Sequence, residues 1–600
     1  MNFRRFPLVC VLFLLGQALA ADLAVLPAHI RSDPFGQVVE ADRAAKVQPA
    51  ASIELTSARE AYASCRLLVS SAQPATYSLS VSGPLEASLY REWFHYLPRS
   101  KRYYPDALVP TPVSVRAALP APDNRVEGQT TQSYWLDLWI PASVRPGAYT
   151  VDAVLEAGGV KTSLPIRIQV LDAVVPAEDP IVIDHNSYGS SWLLTQYPEL
   201  AARVKDFYLS DAFFDLIHAY HRIFYEHRGI YHQLGYGHGG KTGPEFAPRL
   251  EGTGKNKHVA DWTLYDKHYG PLFDGSAFAG THRGAKPIPF VYLPVNPEWP
   301  ASFLWWGQPG YEREFVNVMG EMEAHFREKG WVQTNFELFF NHKKRYKAFD
   351  WDGDETRFLH DLPYFAEYQR LMKLAIPKDS PVKWVFRTDA SWQMERQFAL
   401  QAGVINMWVV GGGMIAWYAE NVPVLKSRGD IVWTYGGTPR IDEPSSHITK
   451  DLLGPWMLGA DGFVRWQTVS PGPDPWFKSA GGGETLVYPG GRFGFDAPLA
   501  SARLKLQRNA LQDLALLNSY RDAVTLPVLR AEVAKRYNGT SPSDWRQPRP
   551  ALADTDPLTW DNASIGDALR EGPRFATGID AAAWDRVSAY VQTLAKERRP

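Results

Sequence analysis

The second half of the chain alternates short apolar segments with amphipathic ones, and this pattern constrains the fold most. From about residue 180, segments with strand character are separated by segments with helical periodicity, such as residues 362–374 and 393–402. Repeated strand–helix units favour a (β/α)8 TIM-like barrel. The predicted strands span residues 181–183, 288–293, 336–341, 383–386, 404–408, 430–435 and 462–466.

A doubly wound sheet is the alternative arrangement of such units. It normally carries a glycine-rich loop after the first strand, where backbone N–H groups bind phosphate. No such loop follows residues 181–183. The three glycines at 411–413 follow a strand, but they lack the lysine and the spacing of a phosphate loop. The barrel is therefore the favoured prediction.

The first part of the chain has a different pattern, which predicts strands alone. Between residues 22 and 175, alternating runs such as 134–141 and 163–170 are separated by turn signals such as Arg145-Pro146-Gly147. This spacing is typical of a β-sandwich. We therefore expect a multidomain protein, all-β and then α/β. Its predicted parts are a β-sandwich at 21–176, a barrel at 177–520 and a mostly helical C-terminal extension at 521–600, with an amphipathic helix at 500–520.

The first twenty residues have the pattern of a secretion signal. Arg4 and Arg5 precede an apolar run at 8–15, and Ala18-Leu19-Ala20 forms a small-x-small cleavage site. The run is too short to span a bilayer, and no later stretch is long enough. We expect a signal peptide at 1–20 and a periplasmic or secreted protein without a membrane span. Cys65 would then be the remaining cysteine, and its alternating surroundings predict a buried structural thiol.

The composition limits the classes of partner that the protein can bind. The chain has 63 basic and 65 acidic residues, which argues against nucleic acid or an anionic membrane as the main partner. Its 21 Trp, 28 Tyr and 29 Phe suit both a large core and hydroxyl-rich ligands, so we expect an oligo- or polysaccharide. The histidines lack metal-ligand spacing, so we expect neither metal nor cofactor. His232 and His238 belong to a glycine- and histidine-rich stretch, 232–284, that predicts loops over one barrel face.

Adjacent acids, Asp354 and Glu355, lie between a predicted strand and a predicted helix. Glycosidic bond cleavage uses two carboxyl groups, one protonated to donate and one ionised to stabilise positive charge. The same pair would also cap a helix, because carboxylate oxygens accept from free backbone N–H groups. The residues alone leave both interpretations open.

Polar and aromatic side chains recur at the carboxyl ends of the predicted strands. In a barrel these ends meet at one face, where catalytic residues lie. For each aromatic residue alone, core packing is an equal alternative, and Arg387 with Asp389 could be a structural ion pair. The candidate substrate-binding residues are His185, Asn186, Trp299, Arg387, Asp389, Trp408, Trp433, Tyr435 and Trp466.

A series of short motifs appears in a fixed order along the chain. Val144-Arg145-Pro146-Gly147-Ala148-Tyr149 comes first, and Asn341-His342-Lys343 and Asp354-Glu355 follow. Residues 433–436, 454–457, 461–466, 486–490, 501–504 and 508–513 complete the series. In this order the motifs resemble glycoside hydrolase family 123 and its uncharacterised relatives, over most of the chain.

The resemblance implies a β-N-acetylgalactosaminidase-like, substrate-assisted, retaining mechanism. Asp354 would orient and polarise the 2-acetamido group of the sugar, and Glu355 would be the general acid/base. Trp433, Tyr435 and Trp466 would hold the sugar ring, and Asn341 and Lys343 join the substrate-binding candidates.

Two features depart from the family pattern. The relatives usually carry Asp-Glu-Pro, whereas Thr356 follows the pair here. An Asp442-Glu443-Pro444 does occur, but after a different strand.

Other functions are compatible with the sequence. A retaining glycosidase could instead use a protein nucleophile, either Asp354 or Glu337, which lies within a predicted strand and could point into the barrel. A non-catalytic carbohydrate-binding protein would also use an aromatic face.

Overall fold

A computed structural model describes most of the chain. It covers residues 21–235, 242–296, 299–301, 308–343, 351–354, 356, 359–390, 394–478, 485–547 and 578–597. The predicted signal peptide at 1–20, His238 and Glu355 lie outside these residues.

The N-terminal region is built from two five-stranded sheets with the orders β1-β3-β8-β5-β6 and β2-β10-β9-β4-β7. Alternate residues of both sheets face a common apolar core that includes Cys65, Leu136 and Val151. Burial raises the pKa of the Cys65 thiol to about 12, as expected for a structural cysteine. The β-rich N-terminal region is therefore confirmed. Its strands are β1 Asp22–Pro27, β2 Ile53–Arg59, β3 Ala61–Ser70, β4 Ala75–Ser82, β5 Glu86–Leu97, β6 Arg102–Thr111, β7 Ser114–Leu119, β8 Thr131–Ile140, β9 Gly147–Ala157 and β10 Val160–Val174.

The second region contains an eight-stranded parallel sheet that curves into a nearly closed barrel. Its order is β12-β11-β20-β19-β18-β17-β16-β15. The end strands meet where Nε2 of His232 lies 2.6 Å from the carbonyl oxygen of Phe290. This agrees with the predicted TIM-like barrel. The strands of this region are β11 Val182–Tyr188, β12 Ile230–Leu234, β13 Arg249–Glu251, β14 His258–Asp261, β15 Phe290–Tyr292, β16 Asn335–Leu338, β17 Lys383–Ala390, β18 Met407–Gly411, β19 Ile431–Gly437, β20 Gly462–Trp466, β21 Val487–Pro489 and β22 Pro498–Ala500.

Helices cover the barrel and make up most of the described residues after 520. Ser210 and Ser501 start two of them, because each serine hydroxyl accepts from a free N–H group of the first turn. No described helix has the length and apolar character needed to cross a membrane. The helices are α1 Leu193–Gln196, α2 Pro198–Ala202, α3 Asp211–Glu226, α4 Thr263–Phe273, α5 Tyr311–Glu328, α6 Leu362–Ala375, α7 Met394–Leu400, α8 Asn421–Ser427, α9 His447–Leu458, α10 Ala502–Ser519, α11 Leu526–Asn538 and α12 Ala583–Glu597.

The stretch 232–284 is more ordered than the predicted loops. It contains the end of β12, the hairpin β13–β14 and the helix α4. The loop prediction for His232 is wrong, because His232 is a buried residue of β12 whose ring pairs with Asp184. Strand β12 has only five residues, and the polar His232 and Gln233 interrupt its apolar residues, so the sequence pattern did not predict a strand here.

Helix α10 joins the two regions. Lys505 and Arg508 on α10 reach Asp137 of β8, and Arg503 reaches Asp106 of β6. All five side chains are buried. The domain limits at 176 and 520 remain a prediction, since α10 packs on both regions.

Candidate active site

The inside of the barrel is polar. Side chains alternate along a strand, so Asp184 and Asn186 of β11 face one side, and Arg387 and Asp389 of β17 do likewise. Glu337 of β16 faces the barrel interior, because its carboxyl group pairs with Arg387 of the neighbouring strand β17 and lies 4.0 Å from His232 of β12. We call Asp184, His232, Tyr292, Glu337, Arg387 and Asp389 the interior network.

Arg387 is the centre of this network. Its Nε and Nη2 donate to Oδ1 and Oδ2 of Asp389 at 2.7 and 3.1 Å. Its Nη1 donates to Oε2 of Glu337 and to the hydroxyl of Tyr292, both at 2.9 Å. The guanidinium also lies 4.2 Å from the ring centre of Phe339. Burial alone would lower the pKa of Arg387, but Asp389 and its other partners outweigh burial and raise it well above the ordinary value.

His232 lies between two buried carboxyl groups. Its Nδ1 is 3.0 Å from Oδ1 of Asp184, and its Nε2 is 4.0 Å from Oε1 of Glu337. Burial lowers the pKa of His232, but Asp184 and Glu337 outweigh burial, so the pKa is raised. Burial also raises the pKa of Glu337, and Arg387 and His232 offset this only in part. The interior therefore favours a positive imidazole and a carboxyl group that is hard to ionise.

Several interior atoms lack a hydrogen bond within the described part of the chain. They are Oε1 of Glu337, both amide atoms of Asn186 and Nε1 of Trp433. Buried polar atoms in proteins are nearly always paired with protein or with water. The barrel interior thus offers unused donors and acceptors.

The segment that carries Asp354 is fixed by an aromatic anchor and by close backbone packing. Trp351 is buried and stacks on Tyr364, with ring centres 4.8 Å apart and planes 5° apart. The N–H groups of Gly353 and Asp354 both donate to the carbonyl oxygen of His342 at 3.1 Å. A Cβ at position 353 would lie 2.5 Å from the carbonyl oxygen of Phe340, so this position requires glycine.

This segment lies at the carboxyl ends of β16 and β17. Oδ2 of Asp354 is 3.5 Å from Nζ of Lys343, and both side chains are mostly buried. The N–H of Thr356 donates to the carbonyl oxygen of Asp389 at 2.9 Å. The structure thus brings Asp354, Lys343, Arg387 and Asp389 to one end of the barrel. We call this carboxyl end the mouth.

The aromatic candidates lie at different depths. Trp466 is 36% exposed at the end of β20, and its ring is nearly perpendicular to that of Tyr188, with ring centres 4.6 Å apart. Tyr435 is half-buried at the mouth. Trp433 is fully buried in the interior against Phe290, with ring centres 4.6 Å apart. Trp433 therefore lies at the bottom of the barrel interior below the mouth, and it does not form an exposed side wall.

Three other candidates lie near strand ends. Asn186 is buried on the inward face of β11, and Asn341 is buried just beyond β16. Trp299 is half-buried beyond β15, and its backbone pairs with Asn296 through bonds of 2.9 and 3.1 Å.

The structure does not bring His185 or Trp408 to the mouth. His185 lies on the outer face of β11, stacked on Phe224 of α3 and 3.0 Å from Nε2 of Gln507. Trp408 lies on the outer face of β18 and donates to Oδ2 of Asp430 at 3.0 Å. Adjacent residues of a strand face opposite sides. On each of these strands the residues next to His185 and Trp408 face the barrel interior, so His185 and Trp408 face outward.

The second acid pair has local partners. Asp442 pairs with Arg440 at 2.8 Å, and Glu443 lies 3.6 Å from His447. Within the described residues these ion pairs are local to the loop after β19 and the start of α9, and whether Asp442 or Glu443 contributes to catalysis stays untested.

The positions of Asp184, His232 and Tyr292 in the barrel interior were not predicted from the sequence. Asp184 could have been found from the alternation of side chains along β11. A period of two predicts that Asp184, Asn186 and Tyr188 share one face. Among the described residues, no group of three or more His, Cys, Asp or Glu side chains is arranged to hold a metal ion.

The whole chain is similar to a solved glycoside hydrolase. A family 123 glycoside hydrolase from Clostridium perfringens matches it with a TM-score of 0.62 at 12% identity, covering 96% of this chain and 98% of that one. The chain has the fold of that family 123 enzyme. The resemblance stated from the ordered motifs is confirmed at the level of the fold.

Other likenesses are much weaker. An N-terminal endo-1,4-β-D-xylanase 10B from Clostridium thermocellum gives a TM-score of 0.30 at 8% identity, covering 81% of this chain and 93% of that one. A putative alpha-galactosidase from Bacteroides fragilis gives 0.27 at 11%, covering 77% of each chain. These scores are too low to relate their folds to this one. No family model matches the chain, and no curated protein matches it.

Proposed function

We propose that the protein is an exported glycoside hydrolase that cleaves a β-linked glycan with retention of configuration. The sugar that is cleaved off is an N-acetylhexosamine. The observation that carries the proposal is the position of Asp354, beside Lys343 at the mouth of a barrel with the fold of a family 123 glycoside hydrolase. The signal-like residues 1–20 support export.

The reaction has two steps in this proposal. The 2-acetamido oxygen attacks the anomeric carbon while the bond to the leaving oxygen breaks. The carboxylate of Asp354 accepts from the acetamide N–H and orients the group, and Lys343 balances the charge of that carboxylate. Glu355 gives its proton to the leaving oxygen, then takes one from the water that opens the cyclic intermediate. The two displacements leave the configuration unchanged.

Glu337 is the alternative nucleophile, and its surroundings favour a supporting role. It is fully buried, and Nη1 of Arg387 holds its Oε2 at 2.9 Å. Arg387 is also bound to Asp389, whose carbonyl oxygen holds the N–H of Thr356. Glu337 would therefore act through the position of the acid segment rather than on the anomeric carbon.

Substitution of the two acids tests the proposal. We expect Glu355→Gln and Asp354→Asn each to lower kcat on an aryl β-N-acetylhexosaminide by about 100-fold or more. Glu443→Gln is the matched control, because it changes the same residue type in the other adjacent acid pair. Wild-type turnover by Glu355→Gln would remove Glu355 from the mechanism.

The identity of the nucleophile needs a separate experiment. The substrate-assisted route predicts much slower cleavage of the matching aryl glycoside without the acetamido group. It also predicts that a 2-fluoro sugar leaves the mass of the protein unchanged. A stable mass increase, mapped to Glu337 or Asp354, would show a protein nucleophile instead.

A further inference from the structure

A second cavity lies far along the chain from the acid pair, where the N-terminal region meets the barrel. Its volume is about 330 Å³, and its lining includes Trp139 of β8, Glu226 of α3 and residues 174–177. Residues 174–177 precede β11, and Glu226 precedes β12. Segments that precede the strands of a parallel barrel lie at its amino end, opposite the mouth. The volume suits a single sugar ring.

One wall of this cavity is a fixed aromatic group. Trp139 stacks on the ring of His282, with centres 4.4 Å apart and planes 13° apart. The hydroxyl of Tyr62 is 2.5 Å from Nδ1 of His282. The guanidinium of Arg508 lies 3.8 Å from the ring centre of Tyr62. These contacts hold the rings in place, so little ordering is needed when a ligand packs against them.

Glu226 supplies a carboxyl group without a partner. It is the last residue of α3, where the helix dipole disfavours negative charge. Within the described residues it makes no hydrogen bond or ion pair. Burial raises the pKa of Glu226, and the nearby Lys505 and His282 offset this only in part. Such a placement costs stability, and groups of this kind concentrate at functional sites.

The charges around the cavity indicate which charge a bound ligand would carry. Arg508 is bound to Asp137, and Arg228 and Arg283 are bound to Asp179. These cations are already paired with carboxylates, so they do not call for an anionic ligand. A neutral ring with hydroxyl donors and an apolar face fits both Glu226 and the aromatic wall.

We infer that this cavity is a second, non-catalytic binding site for a neutral sugar, with Glu226 as the acceptor for its hydroxyl groups. The inference does not depend on the proposed hydrolysis, because no residue of the mouth takes part.

Calorimetric titration of the full-length protein tests the inference. Galactose and N-acetylgalactosamine are the neutral probes, and galactosamine at pH 6 is the cationic one. We expect Glu226→Gln to weaken the neutral-sugar component at least about tenfold, since hydrogen bonds to charged groups are strong. Trp139→Leu should do the same by removing the wall. Glu178→Gln is the matched control, because Glu178 is exposed and its ion pair among the described residues is with Lys286 at 3.4 Å.

Turnover of an aryl glycoside separates this site from the mouth. We expect Glu226→Gln to retain wild-type turnover and to have at least the thermal stability of wild type, while it loses sugar binding. If no substrate is turned over, the binding comparison still applies. Equal affinity of neutral sugars for wild type and Glu226→Gln would overturn the inference. Tighter binding of galactosamine than of galactose would overturn the assignment of a neutral ligand.

Discussion

The barrel interior and the inner side of α10 both bury charged side chains, but they satisfy them differently. On α10, Lys505 and Arg508 donate to both oxygens of Asp137, at 2.6 to 2.9 Å. In the barrel, Arg387 holds one oxygen of Glu337, and the other has no hydrogen bond among the described residues.

The pKa values of the two carboxyl groups move in opposite directions. Burial raises the pKa of both Asp137 and Glu337. The cations of α10 outweigh burial and lower the pKa of Asp137, whereas Arg387 and His232 do not outweigh it for Glu337. A fully paired charge fixes two regions together, and an incompletely paired one remains ready for a further partner. The comparison therefore separates fully paired from incompletely paired buried charges.

The largest expected effect is on the fully paired side. Arg503→Met would leave Asp106 buried without its cation, so we expect a loss of about 3–5 kcal/mol in the free energy of unfolding. Urea unfolding measures it. Arg203→Met is the control, because its ion pair with Asp496 is exposed and contributes about 1 kcal/mol or less. Equal losses in the two variants would contradict the comparison.

Asp513 extends the comparison to a half-buried acid that has no cationic partner among the described residues. Nε1 of Trp584 donates to it at 3.0 Å, and burial raises its pKa to about 7. The folded chain keeps this group protonated up to about pH 7, whereas the unfolded chain ionises it near pH 3.9. The stability that Asp513 contributes is therefore lost as the pH rises from about 4 to 7.

We expect Asp513→Asn to be more stable than wild type by about 2–4 kcal/mol at pH 8 and nearly equal at pH 4. Urea unfolding at both pH values checks this. A difference between variant and wild type that does not change with pH would contradict it.

The substitution Glu337→Gln tests the role of the incompletely paired carboxyl group in the barrel. The amide keeps the shape of the side chain and an oxygen for Arg387, so we expect a stability loss of about 1 kcal/mol or less. We expect kcat to fall about tenfold with KM unchanged, because the interior network positions the acid segment. Asp442→Asn is the control. A large loss of stability with normal kcat would assign Glu337 a purely structural role.

The smallest expected effect is at the rim of the mouth. Trp466 is part-exposed and contacts Tyr188, so Trp466→Ala should change stability by about 0.5 kcal/mol or less. Loss of its face for a sugar ring should raise KM about fivefold. An unchanged KM would place Trp466 outside the substrate path.

The sequence predicted those parts of the fold that depend on apolar period. Helix α6 begins at Leu362 as predicted, and β20 spans the predicted residues 462–466. It failed where charges are buried. Strand β17 continues to Ala390 rather than residue 386, because Arg387 and Asp389 neutralise each other inside the barrel. A charge that pairs only in the folded chain gives no local signal.

The candidate site was predicted in part for the same reason. Trp466, Arg387 and Asp354 lie at the mouth, as strand-end positions suggested. His185 and Trp408 were assigned to the wrong face, because strand ends were predicted to within a few residues and each single-residue shift reverses the face. Asp184, which was not a candidate, is the sequence neighbour of the candidate His185.

The packing of Gly353 determines which changes the acid segment can accept during evolution. Trp351 on one side and Thr356 on the other are attached to different neighbours, and the backbone between them touches Phe340 directly. Insertions and deletions within residues 351–356 would disrupt one of these attachments, whereas a side-chain substitution at 354 would not. Descendants of this chain can therefore change or lose their chemistry by point substitution while they keep the spacing of the segment.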